Sequence, residues 1–550
     1  MSLLEIEGLN LSIGKLPILK NVNLTIEAGE VRGLVGESGS GKSMTALSIM
    51  QLLSGSMTAT GRITFNDIDI LGATEDQMNA LRGDDIGMVF QEPMTALNPV
   101  KTIGAQVAEG IRWHTNVSRA EAEDRTRRIL DRVGLPEAKF PMSRFPHQLS
   151  GGQRQRVVIA IATALKPKLL IADEPTTALD VVLQAQILDL LRELVHEDRS
   201  GLLLISHDLA VVTDMSDTIT IMRNGEVVDE GETARVLVDQ THPYTRQLAQ
   251  ASMHVPELRQ DPAALRIAAA RHAHDKAGLL LRVANVSKDY PGERTGIFSR
   301  AKPFRAVDDV SFDLKPGESV ALVGRSGCGK STLARAILAL DPPTSGRVEL
   351  DSVDIAKMND AELMPHRRKM QVVFQDPYGS FDPRHTVERL ISEPLHLMAQ
   401  KPTTAERRDM VQQALAEVGL PADAMDKYPH EFSGGQRQRL SIARALITRP
   451  KLIIADEPVS ALDVSIRAQV LDLFAELNHR LGVAYVFITH DLTVARAITD
   501  RVMVMHEGRI VEEGVTSEVL DHPKSDPAKA LVAAAPDLRR AIKRRLGEQG

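Results

Sequence analysis

Two kinds of apolar patterning take turns along the chain. The opening stretches, LLEIEGLNLSI and ILKNVNLTIEAGE, alternate apolar and polar residues, as half-buried strands do. A short continuous apolar run, VRGLVG at 31–36, follows, and then a helix-like run, MTALSIMQLL at 44–53. Residues 93–145 are polar and helix-rich; within them SRAEAEDRTRRILDRVG places Ile129, Leu130 and Val133 at helical spacing, with its charges on a solvated face. Beyond residue 150 come a helix (VVIAIATAL), a buried strand (KLLIAD), a helix (VLQAQILDLLRELV) and a second buried strand (GLLLIS). Continuous apolar strands separated by helices predict an α/β fold built on a mainly parallel sheet.

The whole pattern occurs twice. Lys42 of GESGSGKS matches Lys330 of GRSGCGKS, 288 residues on, and Gln91 of MVFQEP matches Gln375 of VVFQDP, 284 on. Ser150 of LSGGQRQR matches Ser433, Glu174 of IADEP matches Glu457, and His207 of ISHD matches His490, each 283 on. Two tandem α/β domains are expected, at 1–252 and 279–536, with a proline-broken connector at 253–278 and a basic tail at 537–550. In the second copy YPGERTGIFSRAKPF reads as an exposed loop inserted in the early hairpin. The tail, DLRRAIKRRLGEQG, reads as a solvated helix end, with contact to an anionic membrane surface as the sharper alternative.

Composition narrows the choice of partners. The 550 residues carry a net charge of −7, which lacks the basic footprint of a nucleic-acid binder. No apolar run approaches the roughly 18 to 20 residues that span a bilayer, and MSLLEIEGLN lacks the features of a signal peptide. A cytoplasmic protein is expected. The single cysteine, Cys328, can build neither a disulfide nor a cysteine-based metal centre. It reads as a small filler of the second glycine loop, with an alkylation target there as the alternative.

The chemistry concentrates in a few segments. Gly36, Glu37, Ser38, Gly39, Ser40, Gly41, Lys42 and Ser43 form a glycine loop between a strand and a helix, the setting in which backbone N–H groups and a lysine cradle a triphosphate. Gly324, Arg325, Ser326, Gly327, Cys328, Gly329, Lys330 and Ser331 repeat it. Ser43 and Ser331 offer hard oxygen ligands to Mg²⁺. Asp173 and Asp456, ending buried strands, are placed to hold that ion, and Glu174 and Glu457 are candidate bases for the attacking water. Gln91 and Gln375 can ligate Mg²⁺ or water and release either; His207 and His490 can bond a γ-phosphate. Ser150, Gly151 and Gly152 open a second anion-binding helix start, the simplest use of which is the other copy's nucleotide.

In this order the segments resemble the ATP-binding cassette ATPases over nearly the whole chain. The phosphate loop, glutamine loop, signature, acid pair, D-loop (Ala178–Leu179–Asp180; Ala461–Leu462–Asp463) and histidine loop occur in both halves. The resemblance implies two cassettes, each with a mainly parallel core, an antiparallel β subdomain and a helical subdomain. It implies that the cassettes pair within one chain, head to tail. One ATP would lie between Lys42, Ser43, Gln91, Asp173, Glu174, His207 and the signature Ser433, Gly435, Gln436. The other would lie between Lys330, Ser331, Gln375, Asp456, Glu457, His490 and Ser150, Gly152, Gln153. No catalytic position is degenerate, so two hydrolysing sites are expected. The family stacks adenine on an early aromatic residue: Tyr290 suits this in the second half, with Phe304 behind it, but Ile13 stands at the matching place in the first. Stacking there should be weaker by ~1 kcal/mol.

FQEPMTALNP, FQDPYGSFDPR and THPYTRQLAQA resemble segments of the oligopeptide, dipeptide and nickel importer group, and fusion of two cassettes resembles its peptide and glutathione importer ATPases. That resemblance implies two integral-membrane permease subunits, an extracytoplasmic solute-binding protein and a place on the cytoplasmic face of the inner membrane. The rival from another class is a soluble twin-cassette ATPase acting on ribosomes or DNA. Such proteins carry a long charged linker or zinc cysteines, and this chain has neither.

Overall fold

The computed structural model describes residues 2–177, 179–257, 278–292, 303–376 and 379–547. Most of the expected connector, most of the inserted loop and Ala178 of the first D-loop lie outside them. The chain divides into two compact units, one of residues 1–179, 183–252 and 536–550, the other of 180–182 and 253–535.

The first unit is built on a six-stranded sheet in the order Glu226–Glu232, Thr218–Arg223, Val31–Val35, Gly201–Ser206, Leu169–Asp173, Ile86–Val89. Every pairing is parallel except the outer Glu226–Glu232 strand. The three central strands 31–35, 201–206 and 169–173 owe their apolar runs to helices on the sheet's faces: all but the first two of these sixteen residues are buried. A four-stranded antiparallel sheet, ordered Leu16–Glu27, Ser2–Ile13, Met57–Phe65, Ile68–Asp69, lies beside it. Leu4, Ile6, Leu24 and Phe65 of that sheet share one core with Ile49 of the phosphate-loop helix and Leu203 of the central strand. This core seats the glycine loop at the sheet's C-terminal edge.

The helical part supplies the rest. Arg119–Arg132 forms one helix, capped by the Ser118 hydroxyl, which accepts from Glu121 N; Ile129 and Leu130 are buried, as the spacing required. The phosphate-loop helix runs over Lys42–Ile49, shorter at its end than the apolar run 44–53 implied, because Gln51 turns into left-handed backbone at φ 48°.

The second unit repeats the plan. Its six strands order as Met370–Val373, Leu452–Asp456, Ala484–Thr489, Ser319–Val323, Arg501–His506, Arg509–Val515, the last antiparallel. Phe474, Tyr485 and Phe487 form an aromatic knot in its core, with centroids 5.0–5.5 Å apart.

The basic tail folds into a helix, Leu538–Arg545, and it belongs to the first unit. Leu538 and Ala541 are buried, and Arg545 donates to the carbonyls of Thr213 and Asp214 at the end of the helix Leu209–Met215. Arg544 pairs with Asp214. Part of the charge expected to face solvent or lipid is thus spent on a helix C-terminus and its acids.

Candidate nucleotide site

The glycine loop is shaped by its own backbone before any ligand is considered. Gly39 and Gly41 sit at φ 78° and 104°, which L side chains rarely adopt. Gly36 is required for a different reason: a Cβ there would lie 2.3 Å from the Met222 carbonyl oxygen. Gly41 hands the chain to the helix Lys42–Ile49 as its N-cap. Lys42 is buried and donates to the carbonyls of Gly36 at 2.7 Å and Glu37 at 3.0 Å, so its ammonium lies inside the loop. The buried Ser40 hydroxyl has no hydrogen-bond partner among the described residues. An enclosed cation, a helix start and an orphaned hydroxyl make a donor set that fits a polyphosphate. In the second loop Lys330 donates to the carbonyls of Gly324 and Arg325 at 2.7 and 3.0 Å. Cys328 stands where Ser40 does, buried, and burial raises its thiol pKa, which keeps it protonated and unreactive.

The acid pair closes the site. The Ser43 hydroxyl donates to Asp173 at 3.1 Å. Burial and the neighbouring Glu174 charge raise the Asp173 pKa, against Ser43 and Lys42. Glu174 lies on left-handed backbone at φ 47°, its N–H still bonded to Ile205 O at 2.9 Å. Three groups converge on its carboxylate: the Gln91 amide at 2.9 Å, the Thr177 hydroxyl at 2.8 Å and His207 Nδ1 at 3.2 Å. Burial would raise its pKa, but the hydrogen bond and charge of His207, then Thr177, outweigh that and hold it at about 2. In the second unit Gln375 donates to Glu457 at 2.9 Å and His490 Nδ1 lies 3.1 Å away. Glu457 is likewise lowered against its burial, and His490 is raised by Glu457 against its own.

The signature residues stand at a second helix start. Ser150 caps the helix Gly151–Thr163 in a reciprocal box: its hydroxyl accepts from Gln153 N at 3.4 Å and Gln153 Oε1 accepts from Ser150 N at 3.0 Å. Ser433 and Gln436 do the same for Gly434–Leu446. Gly435 is needed for packing, since a Cβ would meet Ile466 at 2.3 Å.

A family model described as ABC transporter matches residues 19–177 and again 307–460. This chain belongs to the ABC transporter family. Curated relatives agree along its length: it is 43% identical over 97% of its residues to the glutathione import ATP-binding protein GsiA of Salmonella paratyphi A, covering 89% of that protein. To the same-named protein of Pectobacterium atrosepticum it is 43% identical over 94% of this chain and 86% of that one. For Escherichia coli the figures are 42%, 97% and 90%. The two ABC cassettes are ATPases, and the α/β architecture expected of them is the one observed.

Two ABC cassette features were not legible in the motifs. Thr177, three residues beyond Glu174, reaches the glutamate's carboxylate, whereas its counterpart Ser460 donates to the Glu457 carbonyl instead. The only sequence signal is a hydroxyl repeated at one offset. Tyr244, from the THPYT segment, touches the phosphate loop itself. The expected adenine positions stand at strand ends. Ile13 is 39% exposed, while the Tyr290 hydroxyl donates to Asp341 at 2.8 Å and Lys288 lies 5.4 Å from its ring centroid.

Proposed function

We propose that the chain is the ATP-hydrolysing engine of a membrane importer for peptides or glutathione-like small solutes. The observation that carries the reading is the triply held carboxylate of Glu174, repeated at Glu457 with its glutamine and histidine. A glutamate polarising water needs polar groups that fix its direction and keep it ionised: Gln91, Thr177 and His207 fix the direction, and His207 and Thr177 keep it ionised. Lys42 and Lys330 bind the phosphates, and His207 and His490, beside the glutamates, bond the γ-phosphate.

Mg²⁺ would be held by Ser43 and Asp173, and by Ser331 and Asp456, with Gln91 and Gln375 in reach; bound there, it neutralises charge on the β- and γ-phosphates. No cluster of three or more His, Cys, Asp or Glu fit to cage a metal occurs among the described residues. The hydroxyl–carboxylate pairs suit an ion that arrives with the nucleotide.

Importer subunits of this family work on integral-membrane permeases, and no described helix here is long and apolar enough to cross a membrane itself. We place the chain at the cytoplasmic face of the inner membrane, with two permease subunits and an extracytoplasmic binding protein, and with no nucleic-acid partner. A cavity of about 680 Å³ beside Gln375, lined by Phe374, Glu393, His396 and Arg444, offers a seat for a permease element that would feel the glutamine loop move. The relatives' names make glutathione the first cargo to test, and oligopeptides the second. Purified with its permease pair and binding protein in liposomes, the complex should hydrolyse ATP several-fold faster when its cargo is added. Cargo-independent hydrolysis, with ATP-dependent co-sedimentation on ribosomes, would overturn the reading.

A further inference from the structure

A buried tyrosine holds the first phosphate loop from outside the motifs that define it. Tyr244 lies in the first turn of the helix Pro243–Ser252 and is 1% exposed. Its hydroxyl accepts from Glu37 N at 3.3 Å. The Arg223 guanidinium lies 4.7 Å from the ring centroid. The next residue of the helix, Thr245, donates to Asp229 at 2.6 Å, fastening the helix to the sheet's edge strand. A phenol this deep needs polar partners, and the N–H it accepts from belongs to the second residue of the loop. Fixing the Glu37 peptide fixes the direction in which Ser38 and Gly39 present their N–H groups, and a phosphate cradle works only when those directions are set beforehand.

The second cassette lacks this brace. Its matching helix is Asp526–Ala534, and the register is given by two buried pairs 283 residues apart: Thr245 with Ala528, and Leu248 with Leu531. Tyr244 then falls on Pro527, which has no hydroxyl, and Glu37 on the exposed Arg325.

We infer that Tyr244 is a positioning residue which holds the first phosphate loop in its binding conformation, so that nucleotide affinity depends on this helix in the first cassette and not in the second. The inference rests on the reading of the loop as an ATP site. It bears on the cassette whose adenine position is the aliphatic Ile13.

The test uses the full chain with one loop silenced. In a Lys330→Ala background, Tyr244→Phe should weaken binding of magnesium AMPPNP about threefold to tenfold, the span of one lost hydrogen bond. Its thermal midpoint without nucleotide should stay near the parent's, while Tyr244→Leu lowers both. Hydrogen exchange at the backbone of 37–39 should quicken in Tyr244→Phe. In a Lys42→Ala background, Pro527→Ala should leave binding at the second loop unchanged. Binding by Tyr244→Phe within twofold of the parent would overturn the inference alone. So would a Tyr244→Phe midpoint as low as that of Tyr244→Leu, since the hydroxyl would then be merely structural. A parent that binds no AMPPNP at all would bring down the ATP-site reading and the inference with it.

Discussion

Glu174 and Glu457 both occupy left-handed backbone, at φ 47° and 48°, a conformation that costs a side-chain-bearing residue free energy and is kept where surroundings enforce it. The enforcement is visible: each N–H extends the parallel sheet, and each carboxylate is held by a glutamine and a histidine. The histidine gives the second site a pH signature. The His490 pKa is raised from 6.5, because Glu457 and Asp491 outweigh its burial. A raised cation contributes its full stabilisation below the unfolded pKa and loses it as pH rises through the folded value. Glu457, lowered from 4.5, works the other way: its share is full above 4.5 and lost as pH falls through the folded value. The thermal midpoint should therefore exceed that of His490→Gln most clearly near about pH 6, and the gap should narrow toward about pH 9. A gap that widened with pH would contradict the assignment. The aim of Glu174 and Glu457 was legible from their place after an apolar strand. The contact of Thr177 was not, because one hydroxyl beyond a strand end carries no period or motif.

Elements that announce themselves by periodicity or capping were legible throughout. The strand, glycine loop and helix at 31–49 and the helix opened by Ser150 follow directly from apolar runs, glycine and a serine cap. The tail shows where such reading stops. DLRRAIKRRLGEQG is basic enough to pass for a solvated helix, since only Leu538, Ala541, Ile542 and Leu546 mark a face, and the acids that receive it lie more than 300 residues away. Its anchoring rests mainly on Leu538 and Ala541, because exposed ion pairs such as Arg544–Asp214 contribute little. Removing residues 537–550 should destabilise the first unit by about 2 kcal/mol, the order expected for losing one buried leucine and its neighbours. Urea unfolding of the full and shortened chains measures this; coincident curves would show that the helix is not held. The brace by Tyr244 was illegible for a related reason. A tyrosine 207 residues from its partner leaves no local trace of the contact.

At the scale of the molecule, the internal repeat makes two cassettes evident from the sequence. What repetition cannot reveal is where the copies differ: Thr177 against Ser460, Tyr244 against Pro527, Ser40 against Cys328, and a C-terminal helix held by the first unit only. The first three differences lie at the candidate nucleotide sites, which are themselves duplicated, so the two sites are unequally supported. The central proposal is that Glu174 and Glu457 are the bases of ATP hydrolysis and that neither cassette turns over without the other. The most direct measurement is the ATPase rate of the intact transport complex carrying Glu174→Gln alone, at saturating ATP and cargo. We expect a fall of about a hundredfold or more, the scale of losing a general base at an obligatory step; retention of half the parent rate would contradict the claim by showing two independent engines.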